Sequence, residues 1–324
     1  MPRMLLACLS ACAALGVAGT SAWGQTYPNK TVRIIVPAAT GGPDVVARLV
    51  AAQLAAQTGQ SFVVENKPGA NGILGADAVA KAPPDGYTVM VYSSGFVINP
   101  AIYKKLPYDT EHDFVPVTNI VISDGLFVVV NPAVPARTLE ELIALARAPD
   151  SKIAYSSPGV GNPLHLAGAL FNARAGTHML HVPYKGGGPA VAAVIAGEVQ
   201  VMFSSPAPAM PHLKSGKVRG VAYTGAKRHP AMPDVPTTIE AGLATYQIDG
   251  GWFGMFAPRG TPADIVDKLH REVKVAVADP GVAAKLAALG VDPVATSPEE
   301  FKQFVSAEIR KQAEAVRIAG IEPE

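Results

Sequence analysis

The chain is 324 residues long, with 27 Lys and Arg against 26 Asp and Glu, 49% hydrophobic residues and two cysteines. That length accommodates about two domains of ~150 residues and a large core. A half-apolar composition at a net charge of +1 excludes a disordered chain and argues against a strongly basic nucleic-acid-binding domain. The 31 glycines and 29 prolines follow no strict period, which excludes collagen and favours a fold with many tight turns.

Residues 1–24 read as a secretory signal peptide. Arg3 and the amino terminus form a short positive region, residues 4–17 are apolar and uncharged, and Ala22-Trp23-Gly24 offers a small-x-small cleavage site that leaves Gln25 first. The apolar run is too short for a membrane span, and no later run reaches the roughly 18 apolar residues that one needs. Leu9-Ser10-Ala11-Cys12 also looks like a bacterial lipobox, which would make Cys12 a lipidated anchor. Against that, only eleven residues precede the cysteine, and the apolar stretch continues past it. Cleavage after Gly24 removes Cys8, Cys12 and Arg3, so the exported chain carries no cysteine and its charges balance. Such a chain forms no disulfide and offers no thiolate nucleophile or zinc-cysteine site. The expected location is the periplasm.

Residues 31–36 (TVRIIV) read as a buried strand, 38–43 as a turn, and 44–57 as a helix with Val45, Val46, Leu49, Val50 and Leu54 on one face. A strand at 61–65, a helix at 73–81 and a strand at 87–92 complete a βαβαβ pattern, which implies a parallel sheet with helices on both faces. The apolar run 114–131 then crosses from one sheet to another. A second series follows, opening with a helix at 138–148 that has Thr138 as N-cap and Glu140 and Glu141 in its first turn. It continues through strand 152–156, helix 163–174, strand 181–184, helix 189–196 and strands 199–203 and 218–223. Residues 247–257 (QIDGGWFGMFA) are a second extended crossing. The last part is helical over 262–278, 280–289 and 298–319, with proline at or near each start and Gly290 and Gly320 placed as C′ glycines. Following the second crossing, these helices return to the first domain. Two α/β lobes joined by two crossing strands make a clamshell with a cleft between them.

Catalytic signatures are missing: there is no G-x-S-x-G elbow, no P-loop and no H-E-x-x-H helix. His178 and His181 give an H-x-x-H spacing with His165 nearby, but no carboxylate or cysteine accompanies them at ligand spacing. They read as loop or hydrogen-bonding histidines, and no metal is expected. The informative residues sit where the strands end. Thr40-Gly41-Gly42-Pro43-Asp44 follows the first strand and runs into a helix, and Ser93-Ser94-Gly95 follows the third. In the second lobe, Ser156-Ser157-Pro158-Gly159-Val160-Gly161-Asn162 leads into a helix, and Ser204-Ser205-Pro206 follows a strand. Each cluster is small, carries backbone N–H groups, and lies where open α/β sheets place ligands. Helix starts add unpaired donors and partial positive charge, which suits a small anion. Any one cluster alone reads as a plain turn; four of them, two per lobe, point to a ligand site. A nucleotide cradle fits less well, because Gly159-x-Gly161 lacks a third glycine and no ribose-binding acid follows ~20 residues on. Trp252 and Phe253 read as core aromatics, Lys185 as a solvated loop cation, and the charged face of the last helix as solvated.

Tyr27-Pro28-Asn29-Lys30 is followed by VRIIVP, then by Gly41-Gly42 with Asp44 and Ala47-Arg48. With VVENKPGANG (63–72), AKAPPDGYT (80–88), NPAIYKKLPYD (99–109), DFVPV (113–117), YSSPGVGNPLHLAG (155–168), HVPYKGGGPA (181–190), PDVPT (233–237) and GWFGMFAPRGTP (251–262), these segments resemble the Bug-type periplasmic receptors, the solute-binding proteins of tripartite tricarboxylate transporters. The resemblance implies an α/β, two-lobe periplasmic-binding-protein fold (Venus-flytrap, type II-like). Such receptors hold small carboxylates in the interlobe cleft through backbone amides, hydroxyls and bridging waters. It divides the chain into a leader at 1–24, a first lobe of 25–124 plus 250–324, and a second lobe of 125–249. Carried over by position, the first-lobe site is Thr40, Gly41, Gly42 and Asp44 with Ser93 and Ser94. The second-lobe site is Ser157, Gly159, Gly161 and Asn162, with His165 one turn into the helix; Ser204 and Ser205 are the further strand-end candidates. Two departures stand out. Only Pro43 separates Gly42 from Asp44, where the family usually has two residues, and Ala193 replaces a frequent aspartate, which argues against an amino-acid ligand.

The expected function is therefore capture of a di-, tricarboxylic or aromatic acid and its delivery to the membrane components of a tripartite tricarboxylate-type transporter. The expected chain is a monomer without enzymatic activity, cofactor, metal or nucleic acid. The alternatives are a ligand-sensing module for a signalling partner, or an exported hydrolase or isomerase using His165 or Asp44 as base. The last lacks any second residue poised to assist such a base.

Overall fold

The structure is a computed structural model and describes residues 27–39 and 41–323. The expected signal peptide, its cleavage site, Cys12 and Thr40 lie outside the described residues. The chain opens with β1 (Val32–Val36), α1 (Gly42–Thr58), β2 (Phe62–Asn66), α2 (Ile73–Ala80), β3 (Thr88–Ser93), α3 (Gly95–Ile102) and β4 (Phe114–Ser123). It continues with β5 (Phe127–Val130), α4 (Leu139–Arg147), β6 (Ala154–Ser157), α5 (Pro163–Ala175), β7 (Leu180–Pro183), α6 (Gly187–Ala196), β8 (Val201–Ser204), α7 (Pro206–Lys214) and β9 (Arg219–Tyr223). It closes with β10 (Gly251–Pro258), α8 (Ala263–Ala278), α9 (Pro280–Ala288), β11 (Asp292–Pro293) and α10 (Pro298–Ile318). No helix among the described residues is long and apolar enough to cross a membrane.

Two sheets result, ordered β11-β4-β10-β3-β1-β2 and β7-β6-β8-β5-β9. In the first, β1 pairs in parallel with β2 and β3, while β10 runs antiparallel to β3 and β4. In the second, β6 pairs in parallel with β7 and β8, while β5 runs antiparallel to β8 and β9. Apart from the two-residue edge strand β11, which runs antiparallel to β4, the reversed strand in each sheet is the one that enters from the other lobe. A chain arriving at the edge where the parallel strands end can only run back away from it. The carboxyl ends of β1, β2, β3, β6, β7 and β8 therefore look toward the two crossings, the edge where such sheets bind ligands.

Both sheets are covered on both faces, as successive strand side chains point to opposite sides. Ile34 packs with Val50 and Leu54 of α1 and Leu269 of α8, whereas Ile35 packs on the other face with Phe96 of α3 and Phe301 of α10. In the second sheet Val128 and Val130 join Leu142 of α4 and Phe171 of α5, and Phe127 and Val129 join Val194 of α6 and Leu213 of α7. Each such side chain contributes about 1.5–3 kcal/mol by leaving water. The helices after the second crossing do return to the first sheet, where α8 and α9 close the face over α1.

Several expectations need correction. The apolar run 114–131 does cross from one sheet to the other, but as two strands, β4 and β5, broken at 124–126. In α1, Val45 is exposed and the buried face runs instead through Val46, Ala47, Val50, Ala51 and Leu54. The helices α3 and α7 are additions, masked in the sequence by Pro100 and by Pro206, Pro208 and Pro211. At the crossings the backbones pack with no room for side chains. A Cβ on Gly125 would meet the backbone of Gly225, and one on Gly250 would meet Ser123.

Candidate functional site

On the first-lobe side, β1 delivers the chain to Gly41 and α1 begins at once. Gly41 provides no side-chain cap, Pro43 fills the first turn, and the first helical bond is Val45 N–H to Gly41 C=O, 3.0 Å. Among the described residues the amides of Gly42 and Asp44 have no partner. The helix start thus offers, among the described residues, a donor pair with partial positive charge. The Phe253 ring lies over it, so close that a Cβ on Gly42 would stand 2.8 Å from Phe253 Cζ. Phe253 is held there because β10 pairs it with Ser93 of β3. Ser94 precedes α3 without capping it through its side chain, is 5% exposed, and lies against Gly251 at the start of β10. Gly42, Ser93, Ser94 and Phe253 thus gather at one place.

Asp44 is turned away from the open side. Its carboxylate accepts from Arg48 Nε at 3.0 and 3.1 Å and from Asn66 Nδ2 at 2.9 Å, and Asn66 also donates to the Ala38 carbonyl at 3.0 Å. The aspartate braces the β1–α1 loop from behind. The salt bridge explains why the buried carboxylate is tolerated.

On the second-lobe side, Ser157 ends β6 with its hydroxyl 2.6 Å from His181 Nε2 and accepting from Gly159 N–H at 3.2 Å. Gly161 N–H donates to His165 Nδ1 at 3.3 Å, which puts that ring's proton on Nε2. Asn162 N–H donates to Gly159 C=O at 3.3 Å, and Asn162 Oδ1 caps α5 at Leu164 N–H, 3.0 Å. The His165 and His181 rings stack with centroids 3.9 Å apart and 18° between planes, and Tyr155 stacks on His181 at 5.0 Å. Burial and the neighbouring His165 lower His181 to about 4, and burial lowers His165. Both rings are neutral near pH 7, a pair of polar edges without net charge. Ser204 ends β8 with its hydroxyl on the Ser205 carbonyl at 3.1 Å, and Ser205 leads into α7 without a side-chain cap.

The two sides meet through Asn71, whose amide donates to Gly161 C=O at 3.0 Å. His181, Phe253 and Asn71 were not singled out as site residues in the sequence. No strand-end signal marks them: His181 is the second residue of β7, Phe253 the third of β10, and Asn71 lies in the β2–α2 loop. Among the described residues no group of three or more His, Cys, Asp or Glu could hold a metal. A Ser157–His181 contact could begin a nucleophile–base pair, but the charge state of His181 owes nothing to an acid and no carboxylate orients the ring among the described residues. A surface groove of about 520 Å³ lies elsewhere, between Tyr103, Pro107, Thr110 and Ile309, and contains none of the strand-end residues.

Two α/β lobes, joined by crossing strands, with parallel strand ends and helix starts facing one another, define a periplasmic binding protein. Residues 46–321 match the family described as the tripartite tricarboxylate transporter family receptor. The chain belongs to that family, which is one of solute-binding receptors and not of enzymes. It is 37% identical to a "UPF0065 protein in tcbD-tcbE intergenic region" of Pseudomonas sp. (strain P51), over 89% of this chain and 85% of the relative. It is 34% identical to protein BugT of Bordetella pertussis, over 91% of each. Among solved structures, an R. palustris protein with adipate superposes with a TM-score of 0.87 at 34% identity, covering 92% of this chain and all (100%) of the other. MatC from Rhodopseudomonas palustris with bound malate gives 0.83 at 35%, covering 90% of this chain and 100% of the other. The periplasmic binding protein BugD gives 0.85 at 33%, covering 92% and 100%.

Proposed function

We propose that the chain is a periplasmic receptor that closes around a small carboxylate and delivers it to the membrane components of a tripartite tricarboxylate transporter. The observation that carries the reading is the bare start of α1, with unpartnered amides among the described residues, beside Ser93 and Ser94. That arrangement suits a carboxylate without needing a cationic side chain. Two relatives of the same fold were solved with adipate and malate, which supports the same ligand class.

On this reading the first lobe, 25–124 plus 250–324, holds one carboxylate at Gly41, Gly42, Ser93 and Ser94, with Thr40 a further candidate from the sequence and Asp44 fixing the loop. The second lobe, 125–249, contributes Ser157, Gly159, Gly161, Asn162 and His165, joined by His181, and Ser204 and Ser205 lie on the next strand end. Closure follows from differential binding, because only the closed form lets both lobes touch the ligand. Residues 1–24 direct export, and the receptor acts as a monomer.

The test is a thermal-shift panel of malate, adipate, citrate and benzoate on protein stripped of ligand by unfolding and refolding. A ligand at about 100 times its Kd adds about 2.7 kcal/mol of stability. If none of the acids raises the melting temperature while a neutral sugar or a metal ion does, the reading fails. Turnover of a stabilising acid would move the assignment to an enzyme.

A further inference from the structure

The loop between β2 and α2 takes a disfavoured path. Gly69, Ala70, Asn71 and Gly72 all have positive φ, at 130°, 46°, 45° and 82°. Two of these are not glycine, and L side chains rarely adopt that region unless the surroundings impose it. Here the surroundings do. The Asn71 carbonyl accepts from Tyr92 OH at 2.9 Å and from Asn99 Nδ2 at 3.2 Å, and its side-chain amide donates to Asn99 Oδ1 at 2.8 Å. Tyr92 and Asn99 are buried, and Asn99 also donates to Tyr108 OH at 3.3 Å.

The product of this bracing is a single aimed donor. The Asn71 amide has two N–H groups; Asn99 takes one and so orients the other, which points at the carbonyl of Gly161 on the opposite lobe, 3.0 Å away. Lys311 of α10 also donates across the division, to Asp249 at 2.6 Å, but at the foot of the second crossing; the Asn71 bond lies at the strand-end loops themselves. Gly161 is part of the second-lobe strand-end loop, and its own N–H is engaged by His165. Beside the bond, Ile98 and Ile102 of α3, Leu166 of α5 and Val316 of α10 form a buried apolar cluster that also spans the lobes. Both α3 and α5 start at the candidate site, so this contact ties the two ligand-facing helix starts together.

We propose that Asn71 is a positioning residue for ligand capture: a latch on the first lobe that holds the cleft closed and sets the 157–162 loop through the Gly161 carbonyl. The inference rests on the carboxylate-receptor reading for its ligand, but not for its structural consequence. Opening the cleft breaks the bond and exposes the apolar cluster, so the latch raises the closed fraction that ligand finds. Observed affinity scales with that fraction. The residue type is specified twice over. Aspartate would tolerate the backbone but put an oxygen against two acceptors, and glycine would suit the backbone but leave nothing to cross the cleft.

Asn71→Asp and Asn71→Gly test it. In small-angle scattering of the ligand-free protein, both variants expand relative to wild type. Their Kd for malate or adipate, measured by calorimetry, rises about five- to tenfold, Asp more than Gly. Asn71→Gly relieves the positive φ but leaves Asn99 Oδ1 without its donor, so its melting temperature falls modestly, and an unchanged circular dichroism spectrum separates a lost latch from a damaged fold. If Asn71→Asp does not fold, Asn71→Gly decides alone. An Asn71→Gly protein that scatters as wild type does overturns the latch. Expansion of the variants in a protein that binds no carboxylate leaves the latch standing and sinks the carboxylate reading instead.

Discussion

The strand-end loops of the two lobes are built on opposite plans. In the first lobe, α1 starts after Gly41 with the Gly42 and Asp44 amides unpartnered among the described residues, and the loop is braced from behind by Asp44, Arg48 and Asn66. In the second lobe, the equivalent loop satisfies its own amides: Gly159 on Ser157, Gly161 on His165, Asn162 on Gly159, Leu164 on Asn162. What it presents is imidazole and hydroxyl. The helices α4, α9 and α10 follow a third plan, with capping boxes at Thr138 and Ser297 and an aspartate cap at Asp279. Side-chain caps are also absent at α2, α3, α6, α7 and α8, so what distinguishes α1 is its place at a first-lobe strand end, under the Phe253 ring and beside Ser93 and Ser94. On the proposed carboxylate-receptor reading, the difference gives anchoring of the anion to the first lobe and choice among acids to the second.

The sharpest way to break that comparison is to give α1 the cap it lacks. Gly41 has φ near 165°, an ordinary extended value, and a Cβ there would meet only the Ala39 carbonyl at 3.9 Å. Gly41→Asp should place an internal carboxylate on the Asp44 amide, leave the melting temperature unchanged or higher, and raise the Kd for malate or adipate about a hundredfold, or about 2.8 kcal/mol. Undiminished binding by calorimetry would show that the anion is anchored elsewhere. Next in size, Asp44→Ala frees Arg48 and Asn66 and loosens the loop; a Kd about tenfold higher is expected, with some loss of stability. Equal affinity would mean that the brace is purely structural. For contrast, Thr138→Ala removes a cap remote from the cleft and should cost about 1 kcal/mol in denaturant unfolding while leaving Kd untouched.

The smallest expected effect is on pH. His181 lies near 4 in the folded chain, and His165 is also lowered, against about 6.5 when unfolded. Between those values the unfolded chain binds more protons, so the pair's contribution is intact above about pH 6.5 and falls as the pH drops toward 4. His181→Asn should flatten that part of the curve in thermal melts at about pH 5 and about pH 7. An unchanged slope would count against a buried neutral stack.

Much of the architecture was legible because strands and amphipathic helices differ in period. The βαβαβ series from β1 to β3, the capped α4 and the proline-led α9 and α10 all stand where patterning put them. The helices α3 and α7 did not, since proline marks a break in a pattern yet is harmless in a first turn, as at Pro206, and Pro100 is accommodated inside a short helix. At the site, the Gly and Ser clusters were legible because they follow strands. The inward brace of Asp44 was not: it depends on Asn66, 22 residues away, brought alongside by the β1–β2 pairing. The histidine stack was equally hidden, because it exists only where β6 and β7 pair Tyr155 with His181.

The sequence by itself determined the alternation of strands and helices, the two lobes and the polar strand ends, all properties of residues near one another in the chain. Only the tertiary structure decided which polar groups remain free. Hydrogen-bond donors find partners through space, and whether Gly42 keeps its amide open, Gly161 gives its own to His165, or Asn71 reaches across the cleft depends on contacts that span 4 to 90 residues. For a receptor that uses backbone amides, that allocation is what makes a strand end a site.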